Sequence, residues 1–205
     1  MKPSGMVPIV YRLKDRVYVN LTSRCWLRCG FCPKFQGQWA VGGTSLRLRR
    51  KDEPSAADVL RAIDAEAPAM EVVFCGFGEP TLRLSSVLKI GSALKRRGMR
   101  VRLNTDGLAN FREGRDVTKE LAGAVDAISI SLNTHDAHTY ARHCRPPETG
   151  AYAALIDFAA RAVQVVPEVT LSAIDGLDGV DIAQCRRIAA QVGAHFRRRV
   201  LDQVG

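Results

Sequence analysis

Ile128-Ser129-Ile130-Ser131-Leu132-Asn133 alternates strictly between apolar and polar side chains. In a β-strand successive side chains point to opposite faces. Ile128, Ile130 and Leu132 therefore share one face, and Ser129, Ser131 and Asn133 share the other. The same division appears at 17–22, where Tyr18, Asn20 and Thr22 oppose Val17, Val19 and Leu21. It recurs at 101–104, where Arg102 and Asn104 oppose Val101 and Leu103, and at the end of the chain, where His195, Arg197 and Arg199 oppose Phe196 and Val200. A doubly wound sheet is covered by helices on both faces, and its strands read as apolar throughout. One persistently polar face favours a curved sheet with helices outside and a polar interior.

Outward from that strand, β and helical patterns alternate. Strands are expected at 17–22, 71–75, 101–105, 127–133, 169–174 and 196–201. Helices are expected from Ser55, whose Asp58 three residues on completes a capping box, at 84–97 before Gly98 as a terminating glycine, weakly at 115–123, and at 136–143, 151–165 and 181–192. Residues 33–53 read as a loop. Six β/α steps imply parallel strands with right-handed crossovers. They are too few to close an eight-stranded barrel. The expected fold is α/β, a curved partial (β/α)6 TIM-like barrel of parallel strands with helices outside. Residues 1–15 read as an N-terminal extension and 16–205 as a single domain.

The 205 residues are 46% hydrophobic and 25% charged, close to the globular norm. No window approaches the ~20 apolar residues of a membrane span, and the first 16 residues carry too short an apolar run for a secretory signal. A cytoplasmic protein with no membrane partner is expected. The net charge is +9, concentrated at Arg47, Arg49, Arg50 and Lys51, at Lys95, Arg96, Arg97, Arg100 and Arg102, and at Arg197, Arg198 and Arg199. Such patches suit anionic partners, nucleic acid and an anionic substrate among them; they equally serve solubility.

Three of the six cysteines crowd into Cys25-Trp-Leu-Arg-Cys29-Gly-Phe-Cys32, directly after the first expected strand. Loops at the C-terminal ends of parallel strands are where such folds place their sites. Electron-transfer clusters use four cysteines; three thiolates leave one iron of a cubane open to a small molecule. The competing reading is a zinc-stabilised nucleic-acid-binding module. It needs a fourth ligand, and His135, His138, His143 and Cys144 lie over a hundred residues away without a second cysteine knuckle.

The C-x3-C-x2-C loop, with Phe31 in the aromatic place before its last cysteine, resembles the radical S-adenosylmethionine (SAM) superfamily. The run Val72 to Leu82 (VVFCGFGEPTL), RLNTDGLAN at 102–110, SISLN at 129–133 and HCRP at 143–146 look closest to the small radical SAM proteins associated with TatD-type nucleases. The resemblance spans roughly 16–201. It implies a 4Fe–4S cluster on Cys25, Cys29 and Cys32, SAM on the open iron, reductive cleavage to a 5′-deoxyadenosyl radical, and hydrogen abstraction from a substrate. Gly76, Gly78 and Glu79 match the family's G-x-G-E-P segment, which contacts the SAM amino group. The third expected strand ends Leu103-Asn104-Thr105-Asp106-Gly107, where the family often has T-N-G near the cofactor, with Asp106 where Asn is usual; Asn104 is carried over as a cofactor contact. Ser129, Ser131 and Asn133 resemble groups that hold the SAM ribose and carboxylate, and Arg199 or Arg197 would neutralise a carboxylate of SAM or substrate. The resemblance also implies a one-electron donor such as flavodoxin or ferredoxin. It leaves the substrate open among small molecule, RNA and partner protein.

Cys185 falls on an apolar helical stripe and reads as core. Cys75 ends a strand beside the glycine turn. Cys144, between His143 and Arg145, has a setting that could lower a thiol pKa. The loop 33–53, with Trp39 and its arginines, is placed to cover the open mouth.

Overall fold

The computed structural model describes residues 7–201. Residues 1–6 of the expected extension and 202–205 at the end of the expected domain lie outside the described residues. Strands β1 (Val10–Leu13) and β2 (Arg16–Val19) form a hairpin. A small second hairpin follows, β3 (Ala40–Val41) and β4 (Thr44–Ser45). Then come α1 (Ala56–Asp64), β5 (Glu71–Phe74), α2 (Leu84–Arg96) and β6 (Val101–Thr105). The chain continues through α3 (Ala109–Glu113), α4 (Thr118–Ala124), β7 (Ala127–Asn133), α5 (Ala137–Cys144) and α6 (Ala151–Ala162). It ends with β8 (Glu168–Asp175), α7 (Ile182–Val192) and β9 (His195–Val200).

One seven-stranded sheet runs in the order β1-β2-β5-β6-β7-β8-β9. From β2 onward every pairing is parallel. The curved partial barrel expected from the alternation is what forms, with β1 and β9 as its two separate edges. Strand β1 was not expected. It pairs antiparallel with β2, Tyr11 opposite Tyr18 with their rings stacked at 5.3 Å. The turn between them carries Lys14 at φ 54°, a conformation lysine seldom signals. The loop 33–53 is more ordered than its composition implies, containing β3–β4 and two 3-10 turns. The weak helix expected at 115–123 forms as α4 from Thr118, with Asp116 accepting from Thr118 N at 2.9 Å at its start, and α3 before it was not expected.

Alternation places the apolar face of each strand under the helices. Leu103, Ile128, Ile130 and Leu171 are all fully buried there, each contributing about 1.5–3 kcal/mol. Helix α1 starts with the expected capping box: Ser55 Oγ accepts from Asp58 N at 3.2 Å, and the Asp58 carboxylate accepts from Ser55 N at 3.0 Å. Gly91 on α2 lets α4 approach closely, since a Cβ there would stand 2.3 Å from Ala124 O. Among the described residues no helix is long and apolar enough to cross a membrane.

Inside the barrel the polar faces line up in rows. Arg102 pairs in register with Ala127, and Ala127 with Glu168. One row higher stand Asn104, Ser129, Thr170 and His195, and above that Ser131, Ser172 and Arg197. Asn133 does not continue this row, although strict alternation predicts it. The register shifts between Ser131 and Asn133, and Asn133 sits at φ 62° opposite Ala173. A bulge inserts one residue and turns the following side chain to another direction.

Candidate functional site

The cysteine loop occupies the C-terminal end of β2, and the Cys75-Gly-Phe-Gly-Glu79 turn follows the neighbouring β5. The two meet through the backbone: Glu79 N donates to Arg24 O at 2.8 Å. Gly78 is obligatory at this crossing, because a Cβ would lie 2.2 Å from Thr22 O and 2.6 Å from Arg24 O. Its lack of a side chain thus serves the approach of one loop to another. Gly76 lies against Asn20 Oδ1 in the same way, with 2.9 Å for a Cβ.

Glu79 is buried, and its carboxylate is committed within the protein. Oε1 accepts from Thr81 N (3.0 Å), Thr81 Oγ1 (2.6 Å) and Thr105 Oγ1 (2.8 Å), and Oε2 accepts from Asp106 N (2.7 Å). It ties the end of β5 to the end of β6. These bonds fix the carboxylate's position, and Oε2, which accepts from Asp106 N alone, keeps a free lone pair. Asp106 lies beside it. Burial first, and then the Glu79 charge, raise its carboxyl to about 7, while Arg112 opposes the rise. Arg112 Nη1 donates to both Asp106 oxygens (3.1 and 2.9 Å), Nη2 donates to Thr81 Oγ1, and the guanidinium lies 5.9 Å from the Trp26 ring centre. Sequence reading missed Arg112, which joins α3, the glycine turn and the cysteine loop.

The three thiols are free and half-buried. Burial pushes Cys25 up to about 12, and Lys34 pulls it back. Cys32 is raised by burial and likewise opposed by Lys34. Cys29 is raised foremost by a hydrogen bond with Cys144, then by burial. Metal binding must therefore release protons here. Among the described residues no three His, Cys, Asp or Glu side chains already form a ligand shell. To join the other thiols on a metal, Cys29 must exchange Cys144 for it. Cys144 is fully buried, receives Asn133 Nδ2 at 3.5 Å, and offers its carbonyl to Arg28 N at 3.1 Å. His143 contacts Asp178 O at 2.8 Å, and Arg145 lies over Gly30. Phe31 packs half-buried against the core.

Three observations test whether a 4Fe–4S cluster and SAM fit this end of the barrel. Lys34, only 8% exposed, bonds Ser23 O at 3.3 Å and has no carboxylate partner among the described residues. A buried cation needs a counter-charge, and thiolates of Cys25 and Cys32 are its neighbours. Buried acceptors on Asn20, Asn104 and Asn133 lack hydrogen-bond donors. Arg199, half-buried and without an ion pair among the described residues, feels Cys75, Cys29 and Cys32. Such a donor set fits an anionic cluster and a ligand bearing ammonium and carboxylate groups. Leu46 is buried against this mouth, its carbonyl accepting from Asn20 Nδ2 at 3.2 Å; Trp39 meets Phe77 edge-on at 5.8 Å and carries Arg47 at 5.3 Å. The loop 33–53 covers the opening.

Cys75 lies beside Asn104, whose hydrogen bond opposes the rise that burial imposes on this thiol. Ser129 and Ser131 face the interior half-buried. Cys185 is core. Among the basic groups, Lys95 pairs with Asp126, Arg97 with Asp64, and Arg100 and Arg102 with Glu71 and Glu168. That patch is largely neutralised from within.

The chain matches the family described as Radical SAM superfamily over residues 19–192. It is 28% identical over 199 residues to a GTP 3',8-cyclase of Corynebacterium glutamicum (strain R), covering 91% of this chain and 48% of that protein. It is 30% identical over 190 residues to the GTP 3',8-cyclase of Mycolicibacterium smegmatis, covering 91% and 49%. The chain thus spans about half the length of the curated relatives it matches. In fold it resembles Streptococcus suis SuiB bound to the precursor peptide SuiA, with TM-score 0.67 and 17% identity over 94% of this chain and 40% of that one. SuiB bound to S-adenosylmethionine gives TM-score 0.62 at 17% identity, covering 91% and 38%.

Proposed function

Because this chain belongs to the radical SAM superfamily, we propose that it cleaves S-adenosylmethionine reductively and uses the resulting radical to abstract hydrogen from a substrate. The family's cofactors are a 4Fe–4S cluster and SAM. When bound, the cluster supplies the electron that yields the 5′-deoxyadenosyl radical. Cys25, Cys29 and Cys32 hold it, and Lys34 offsets their charge. That buried lysine, with no carboxylate partner among the described residues, is the observation that carries the assignment.

The remaining residues bind and orient. The Gly76–Gly78 turn and the unpaired Asn104 acceptor receive SAM, with Glu79 holding both loops in place. Ser129 and Ser131 offer hydroxyls on the same wall, Asn133 a carbonyl oxygen, and Arg199 a charge for the SAM carboxylate. Phe31 screens the cluster side from water. A flavodoxin or ferredoxin supplies the electron. Residues 16–205 act as one domain in the cytoplasm. A small-molecule substrate is favoured, because curated relatives are named for a reaction of GTP. With family membership the zinc-module alternative loses its basis.

The test is anaerobic reconstitution with iron and sulfide, then dithionite and SAM, with 5′-deoxyadenosine measured chromatographically. Wild type is expected to form it, and Cys29→Ala to form none and to retain little iron. Product from Cys29→Ala, or none from an iron-loaded wild type, would sink the proposal.

A further inference from the structure

The curved sheet lines a half-open cavity of about 450 Å³ that runs from the Cys75–Gly76 turn down to Glu71 and Glu168, within the ~300–1,000 Å³ of small-molecule sites. Its charges are unevenly spent. On the floor, Glu71 and Glu168 are taken up by arginines. On the β9 wall, the exposed His195 and Arg197 line the same cavity, and their side chains make no hydrogen bond or ion pair among the described residues. Arg199 follows two residues on, about 7 Å along the strand, also without an acid. Arg197 is exposed and Arg199 half-buried, and like charges at that spacing repel. A hydroxyl completes the surface: Thr170 lines the cavity and stands in one row with His195.

A planar guanidinium, an imidazole and a hydroxyl converging on one side offer several donors to one multi-oxygen anion. A guanidinium matches phosphoryl oxygens two at a time. We propose that Arg197 and His195, with Thr170, bind the phosphoryl end of a small phosphorylated substrate, leaving its other end toward SAM. The inference rests on the radical reading for the direction in which the substrate points. The anion site itself stands on the β9 wall.

The probe is inorganic pyrophosphate, titrated calorimetrically at low ionic strength into the reconstituted full chain, with malonate as the carboxylate counterpart. Pyrophosphate is expected to bind one-to-one and more tightly than malonate. Arg197→Gln and His195→Gln should each weaken it, by roughly 10-fold for the arginine, as for a lost charge-assisted bond. Arg96→Gln on the outer face of α2 should leave it unchanged. Circular dichroism melting verifies that each variant folds. Equal loss in Arg96→Gln would assign the binding to general surface charge. Malonate binding as tightly would remove the phosphoryl class, and displacement of pyrophosphate by SAM would give Arg197 to the cofactor. Each of these overturns the proposal. Formation of 5′-deoxyadenosine without pyrophosphate binding would reject only this site. The reverse pattern would reject only the radical reaction.

Discussion

The two ends of the barrel use the same strands and the same polar alternation, yet they solve opposite problems. At the floor, Glu71 takes Arg16 at 3.1 Å, Arg100 at 3.0 Å and Arg102 at 3.1 Å, and Glu168 takes Arg102 at 2.9 Å. Every one of these floor charges has its partner within the chain. At the mouth, Lys34 and Arg199 lack carboxylates among the described residues, and three asparagine oxygens lack donors. Unpaired buried polar groups cost free energy, so a chain that keeps them at one end and eliminates them at the other marks where its ligands go.

The comparison can be broken first at the mouth. Arg112→Gln leaves Asp106 buried beside Glu79 without its cation. Asp106 is raised from 3.8 to about 7 in the folded protein. The stability contributed by a raised carboxyl is full below its unfolded value and is lost as pH rises through its folded value. Removing Arg112 raises Asp106 further, so Arg112→Gln is expected to lose about 3 kcal/mol at pH 8 and much less at pH 5. Urea denaturation at the two pH values measures this, and equal losses would contradict the ion-pair account. Affinity for SAM should fall as well, because Arg112 also stacks on Trp26 of the cysteine loop.

Glu71→Gln sharpens the comparison from the other side. Its arginine partners are 20% to 46% exposed, so water screens much of what is lost. A destabilisation of roughly 1–2 kcal/mol is expected, with SAM affinity unchanged. A weakened SAM affinity at intact stability would show that the floor belongs to the site.

Most of the architecture was legible because it follows periodicity. The six parallel strands and the capping box at Ser55 are local patterns. So were the cysteine loop and the glycine turn. What escaped depends on contacts distant in sequence or on single irregularities. Strand β1 hides behind a left-handed Lys14. The bulge at 131–133 takes Asn133 off the row that its spacing predicts. Nothing local shows that Glu79 also bonds Thr105 and Asp106 of the neighbouring strand end. Lys34 was visible two residues after Cys32, but its burial was not. Likewise Arg102 and Arg197 look alike as inward-facing arginines, and only the assembled sheet shows one paired and the other open.

The most direct measurement is the electron paramagnetic resonance spectrum of the reconstituted, dithionite-reduced protein, recorded with and without SAM. The account predicts a reduced 4Fe–4S signal that shifts when SAM is added, because three cysteines leave one iron for the ligand. A signal that SAM leaves unchanged, or iron-loaded protein with no such signal, would contradict a mouth built for cluster and cofactor together.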